Sequence, residues 1–279
     1  HLSLRRQRQM CIRDRTKGEY FMKLIEWKID PRIEAYTTTR LDGVSQGTLD
    51  SLNLSFNVND LKENVLTNRL KLASYLHTDL NHMVASRQKH TTNFIKVSKE
   101  DGGKGMYQIE DAIDNYDAMY TRDKNLFLLS FHADCTPVLL FAEDEMLIAE
   151  IHSGWKGNVN EITNKIVKHL IKHENCNPKH LFAYIGPSIN FENFEVGQEV
   201  IDLVNQMSFD GSDCYSVKEN GKYLFDGKKL VLKQLLINNV PLENITISPY
   251  CTIKNNDLFY SYRKNHHCGR NVTMIKIKE

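Results

Sequence analysis

The 279-residue sequence contains no run of about 20 uninterrupted apolar residues, so it offers no membrane-spanning helix. Its most apolar region, 126–155, is broken by His132, Asp134, Glu143, Asp144, Glu145, Glu150 and His152. It has no Cys-x-x-Cys pair, which removes the compact zinc and thioredoxin-like motifs. Its 6 prolines and 14 glycines are scattered, and no internal repeat or low-complexity linker marks a domain boundary. The net charge is +1, so bulk charge draws the chain neither to nucleic acid nor to an anionic membrane.

What remains is an ordinary globular composition, 41% hydrophobic and 25% charged. A chain of this length buries a full core without metal or disulfide staples. The six cysteines are Cys11, Cys135, Cys176, Cys214, Cys251 and Cys268. Their wide, irregular spacing reads as reduced thiols and a cytoplasmic protein, although counting leaves an even disulfide set open. Residues 1–21 stand apart. They open on His1 and carry Arg5, Arg6, Arg8, Arg13, Arg15 and Lys17 against Asp14 and Glu19. With no apolar segment, they make a poor secretory signal. They read as a non-native or disordered leader, the rival being a basic targeting arm. Residues 22–279 are expected to form one domain.

Strands and helices alternate along that domain. Ala35–Thr39 reads as a strand end running into a turn at Gly43. Asn64–Leu80 has helical spacing, with Val65, Leu66, Leu70, Ala73 and Leu76 on one side. Residues 126–131, 138–142 and 146–151 are apolar runs of strand length. Residues 158–173 form an amphipathic helix pattern through Val159, Ile162, Ile166, Val167, Leu170 and Ile171. Residues 182–185, 245–248 and 274–277 read as strands, and 196–207 and 230–237 as helices. The mixture predicts a layered α+β domain.

Reactive groups concentrate in two segments, His132-Ala133-Asp134-Cys135-Thr136-Pro137 and His152-Ser153-Gly154-Trp155-Lys156-Gly157. Each follows an apolar strand, and the second turns through glycines into a helix. Such junctions expose side chains at a sheet edge, where sites are often built. Arg87-Gln88-Lys89-His90 adds another imidazole upstream. One thiolate and two imidazoles, Cys135, His90 and His152, suit a catalytic zinc with an open fourth position. The same residues also fit a bland reading, with Cys135 a small buried hydrophobe and His152 a satisfied turn histidine.

Seven segments, in chain order from about Thr38 to the C-terminus, resemble one family. They are Arg40 through Ser45 with Ser51-Leu52-Asn53-Leu54; Gln88-Lys89-His90; Asp117-Ala118-Met119; and His132 through Leu140. The others are His152 through Gly157; Ile185-Gly186-Pro187 with Phe194-Glu195-Val196-Gly197; and Phe259 through Arg263 with Gly269-Arg270. The pattern resembles the YfiH-type family, also called the laccase-domain or multicopper polyphenol oxidase family and associated with purine nucleoside phosphorylase activity. Departures are few: Asp42-Gly43 stands for two glycines, His132 for a commoner Thr, Lys156 for Arg, and His266-His267-Cys268 for a Thr-rich stretch.

The resemblance implies a single layered α/β/β/α-type sandwich and a Zn2+ site at His90, Cys135 and His152, the catalytic residues. It implies phosphorolysis of adenosine, inosine and methylthioadenosine to free base and ribose 1-phosphate, with adenosine deamination besides. Purine nucleosides and phosphate would be the partners. Phosphate needs cationic or N–H donors, and Arg40, Arg263 and Lys156 are the candidates. Asp134 is a candidate to orient a ligand or base. Asn53 could hydrogen-bond substrate or merely stabilise a turn. Three rivals stand beside this reading. A copper-dependent polyphenol oxidase needs many histidines in His-x-His pairs, and there are none. A metal-free cysteine hydrolase would use Cys135 as nucleophile and His152 as base. A binding module would hold zinc only structurally, with a fourth protein ligand.

Overall fold

The structure is a computed structural model that describes residues 22–279 and the backbone of a two-residue strand, Cys11–Ile12. That strand pairs antiparallel with Ile25 and Glu26. The remainder of the basic leader inferred for 1–21 lies outside the described residues. Among the described residues the strands form sheets of seven, six and three.

The larger sheet centres on Asn271–Ile277, flanked by Ile33–Thr38 and Phe127–His132, with Met83–Arg87 beyond. The six-stranded sheet centres on the hairpin Thr136–Ala142 and Leu147–Ser153, flanked by Leu181–Ile185 and Ala118–Thr121. Every residue of both hairpin strands is buried, because the two faces pack on different layers. One face, with Val138, Leu140, Ala149 and Ile151, packs on the helices Ile162–His173 and Gly227–Leu236. The other, with Leu139, Phe141 and Ile148, meets Val84, Leu128 and Ile275 of the larger sheet. That sheet's far face, through Met83, Phe127, Leu129 and Met274, covers the helix Lys62–Tyr75. The order is helix, sheet, sheet, helix: the α/β/β/α sandwich. A smaller cluster joins the helix Gln198–Val204 to the three-stranded sheet.

Most periodic segments fall where their patterns place them, with four differences. The helix expected over 64–80 spans Lys62–Tyr75, and it buries Asn68 and Arg69 while Leu70 faces solvent. Arg69 is satisfied by the carbonyls of Leu54, Gly105 and Met106 and lies over the Phe56 and Phe131 rings. A guanidinium held by three carbonyls and two rings can thus take an interior place that a leucine leaves. The helix expected over 158–173 is two, Trp155–Val159 and Ile162–His173, with Glu161 left-handed between them (φ 65°). The buried Asn158 side chain is held by the Gly227 carbonyl and Gln234. The helix expected over 196–207 begins at Gln198, because Glu195 and Val196 form a short strand. His169, expected in solvent, is half-buried, with its Nε2 2.9 Å from the Tyr120 hydroxyl.

Cys135, Cys176, Cys214, Cys251 and Cys268 are all unpaired. Among the described residues no helix is long and apolar enough to cross a membrane. The packing predicts that Leu140→Ala, at a fully buried position, lowers the unfolding free energy by about 2–5 kcal/mol in a urea titration.

Candidate functional site

Strand register assembles the site. In the central hairpin His152 pairs with Pro137 and Ser153 with Thr136, so the next step sets Gly154 beside Cys135. On the other side Ile151 pairs with Ala118, and the next step sets His152 beside Asp117. His152 Nδ1 lies 2.9 Å from Asp117 Oδ1, and the His152 amide donates to the Asp117 carbonyl at 2.7 Å. The carboxylate of Asp117, wholly buried, also gathers the loop after Met83–Arg87. It accepts the amides of Lys89, His90 and Thr91 at 3.2, 3.0 and 2.7 Å and the Thr91 hydroxyl at 2.9 Å. His90 is left-handed there (φ 59°), an uncommon conformation held by these bonds.

The ligand atoms of His90, Cys135 and His152 lie within 4.8 Å of one another. Among the described residues this is the one such cluster of three or more metal-capable side chains. Gly154 packs against it. A Cβ there would sit 2.3 Å from His90 Nδ1 and 3.2 Å from Cys135 Sγ. With Nδ1 engaged by Asp117, His152 keeps its other nitrogen available to the cluster beside Cys135. One soft thiolate and two imidazoles, one oriented by a carboxylate, form a donor set that fits zinc or another borderline cation.

Electrostatics differentiates the histidines. Burial disfavours charge on His152, but Cys135 and the Asp117 carboxylate outweigh it and raise its pKa to about 10. Desolvation and the neighbouring His152 cation pull His90 down to about 4. Burial would push Asp117 up, yet its bonds to His152 and Thr91 hold it at about 2. The metal-free cluster therefore keeps a proton on His152 at neutral pH.

The cluster opens into a cavity of about 730 Å³, a size that suits a small organic ligand. Phe131, Trp155, Phe194 and Tyr262 supply aromatic lining. Arg87, Lys89, Arg263 and Arg270 supply positive charge against one lining carboxylate, Asp134.

The structure brings some expected residues here and not others. His90, Cys135, His152, Asp134 and Arg263 line the cavity. Asp134 is engaged, with its oxygens accepting the Thr252 hydroxyl and the Arg263 amide, both at 2.6 Å. It fixes the loop that carries Arg263. Arg40 does not line the cavity. Its guanidinium donates to the carbonyls of Asp50 and Asn256 and covers the Tyr260 ring. Asn53 is wholly buried and donates to the Asp60 carboxylate and the Ser55 carbonyl. Its own oxygen accepts the amides of Ser55 and Arg270, so it serves the turn. Lys156 is exposed outside the lining, over the Trp155 ring. His132 is buried at the strand end, its Nε2 2.8 Å from the Thr273 hydroxyl, and burial holds its pKa down at about 3. Sequence reasoning missed Asp117, Arg87, Lys89 and Arg270 as site residues. Lys89, Asp117 and Arg270 did stand in three of the recognised segments.

The sequence profile described as multi-copper polyphenol oxidoreductase laccase matches residues 34–278. The chain belongs to this family. It is 34% identical over 243 residues to purine nucleoside phosphorylase YlmD of Bacillus subtilis strain 168, covering 87% of each chain. It is 31% identical to purine nucleoside phosphorylase SACOL1200 of Staphylococcus aureus strain COL, covering 95% of this chain and 99% of that one. The crystal structure of YlmD from Geobacillus stearothermophilus superposes with a TM-score of 0.90 at 28% identity, over 96% of this chain and 99% of that one. The structure of Bacillus licheniformis hypothetical protein YfiH gives 0.89 at 31% identity, over 93% and 97%. The laccase-type family and its sandwich fold are those the seven sequence segments pointed to.

Two outcomes test the centre. Asp117→Asn should weaken metal binding roughly 10- to 100-fold in a chelator competition, because His152 loses its orienting acceptor. Metal binding must also displace the His152 proton. Affinity should therefore rise with pH between the His90 and His152 pKa values of about 4 and about 10, with protons released on binding at pH 7, measured by calorimetry in buffers of different ionisation enthalpy.

Proposed function

We propose that the protein is a zinc-dependent purine nucleoside phosphorylase. It takes adenosine, inosine and methylthioadenosine to free base and ribose 1-phosphate, with adenosine deamination as a side activity. The observation that carries this reading is the His90–Cys135–His152 cluster at the wall of an aromatic, cationic cavity. The names of the relatives support it. The five unpaired cysteines fit a cytoplasmic setting.

His90, Cys135 and His152 would hold the cation, which when bound supplies Lewis acidity and a fixed positive charge beside the substrate. The remaining work belongs to the chain. Phe131, Trp155, Phe194 and Tyr262 give the purine apolar faces on which to pack and exclude water. The lining cations hold phosphate near the ribose. In phosphorolysis the bond between purine nitrogen and C1′ breaks, its electron pair leaves with the purine, a phosphate oxygen forms the new bond to C1′, and the proton of the hydrogen phosphate dianion ends on the purine nitrogen. Positive charge grows on the ribose in between, and the dianion at its side stabilises it. Asp117 holds His152 in one tautomer and orientation throughout.

One observation favours a second reading. His152 is engaged by Asp117 at Nδ1 and lies beside Cys135, the company of a cysteine nucleophile, its base and the base's orienting group. A metal-free hydrolase would leave His90, drawn into the same cluster, without a task.

Metal content and product analysis separate the two. Metal-loaded protein incubated with adenosine should release adenine only when phosphate is present, and some inosine without it. Cys135→Ala should lose both metal and turnover, while Cys176→Ala should keep both. A Cys135→Ala protein that stays zinc-replete and active would overturn the site assignment. A zinc-replete wild type that forms neither product would overturn the phosphorylase reading.

A further inference from the structure

The Gly269-Arg270 segment has no part in the metal centre, yet the fold delivers Arg270 to its edge. Asn271 pairs with His132 across the large sheet, so the residue before it arrives beside Ala133, two positions from Cys135. Gly269 permits the approach. A Cβ there would lie 2.7 Å from the Tyr260 ring and 2.9 Å from Asn53 Cβ. The buried Asn53 then accepts the Arg270 amide at 3.1 Å and is itself tied to Asp60 at 2.8 Å.

The side chain is held as firmly as the backbone. Nη1 donates to the carbonyls of Cys268 and Gly269 at 2.8 and 3.0 Å. The guanidinium lies over the Tyr262 ring, which is stacked on His266 at 4.6 Å. Among the described residues nothing pairs with its Nε or Nη2, and no carboxylate neutralises it. The other lining cations are more committed. Lys89 and Arg87 share Asp114, at 2.8 and 3.5 Å, and Arg263 spends Nη2 on the Glu195 carbonyl. Arg270 thus presents a rigid fork of two donors, uncompensated, beside the metal cluster. A planar fork of that kind matches two oxygens of a tetrahedral oxyanion.

We propose that Arg270 binds the phosphate co-substrate, presenting its Nε–Nη2 edge to two phosphate oxygens, with Asn53 and Gly269 positioning it. This rests on the phosphorylase reading, and it places the attacking anion on the side of the cavity formed by Arg270, Tyr262 and His266. Arg40 and Lys156, which the sequence suggested for this task, take no part.

The test compares Arg270→Gln, Arg270→Lys and Lys156→Gln as metal-loaded proteins of checked metal content and melting temperature. Binding of inorganic phosphate is measured by calorimetry without nucleoside, and phosphate and nucleoside KM are measured separately. Arg270→Gln should weaken phosphate binding and raise phosphate KM roughly 10- to 100-fold, with nucleoside KM within about twofold. Arg270→Lys, which keeps the charge but not the fork, should fall between it and wild type. Lys156→Gln should match wild type. The proposal is overturned if Arg270→Gln shifts nucleoside KM instead, since the fork then faces the purine. It is overturned too if Lys156→Gln costs as much, since diffuse charge then suffices, or if wild-type protein binds no phosphate. Calorimetry keeps this separate from the phosphorylase reading: wild type that binds phosphate through Arg270 but releases no base refutes that reading alone.

Discussion

The site hangs on one buried carboxylate. Asp117 lies at the end of an interior strand, out of reach of water, where an unpaired negative charge would be prohibitive. It is tolerated because three backbone amides, one hydroxyl and one imidazole converge on it. Those partners come from two places, the loop 89–91 and the strand Leu147–Ser153. Satisfying one charge therefore fixes the position of one metal-capable histidine by its backbone and the orientation of another by its ring. The desolvation cost of the carboxylate and the geometry of the centre are the same problem, solved once.

The sandwich explains why the chemistry gathers at one end. Both sheets present strand ends there: Phe127–His132 and Asn271–Ile277 from one, and the central hairpin from the other. The interior between them is mainly apolar, although Glu150 and Ser130 are buried within it, and the metal-capable side chains collect where the strands stop. Metal-capable groups come from the smaller sheet and its neighbouring loop. The aromatic Phe131 and the cationic Arg270 come from the larger. A cavity lined from two sheets can thus oppose a soft-donor cluster to an anion-seeking wall.

Much of this was legible in the residues. The apolar runs at 126–131, 138–142 and 146–151 gave the central strands because strand-length hydrophobicity buried on both faces leaves little choice. Cys135, His152 and His90 were legible as donors by chemical type and by their place after strands. Long-range pairing was less accessible. Asp117 is one acid among many until register sets it against His152, and three of its five hydrogen-bond partners are backbone amides, which no side-chain pattern announces. Arg40 and Arg270 look alike in sequence. Only the fold engages the first with carbonyls and Tyr260 and leaves one edge of the second free. The break at Glu161 was hidden because helical periodicity runs on through it, and Leu70 was misplaced because Arg69, held by three carbonyls, took the inward face.

Cys135 and His152 stand near the ends of two arms of one hairpin, and His90 is tied to its neighbouring strand through Asp117. Side chains alternate faces along a strand, so a slip of one residue would send His152 to the opposite face and part it from all three partners. The centre can close only on a chain whose sheet is correctly threaded. Metal bound by a preparation would then be a census of its molecules, counting those in register and passing over those that are compact but misaligned.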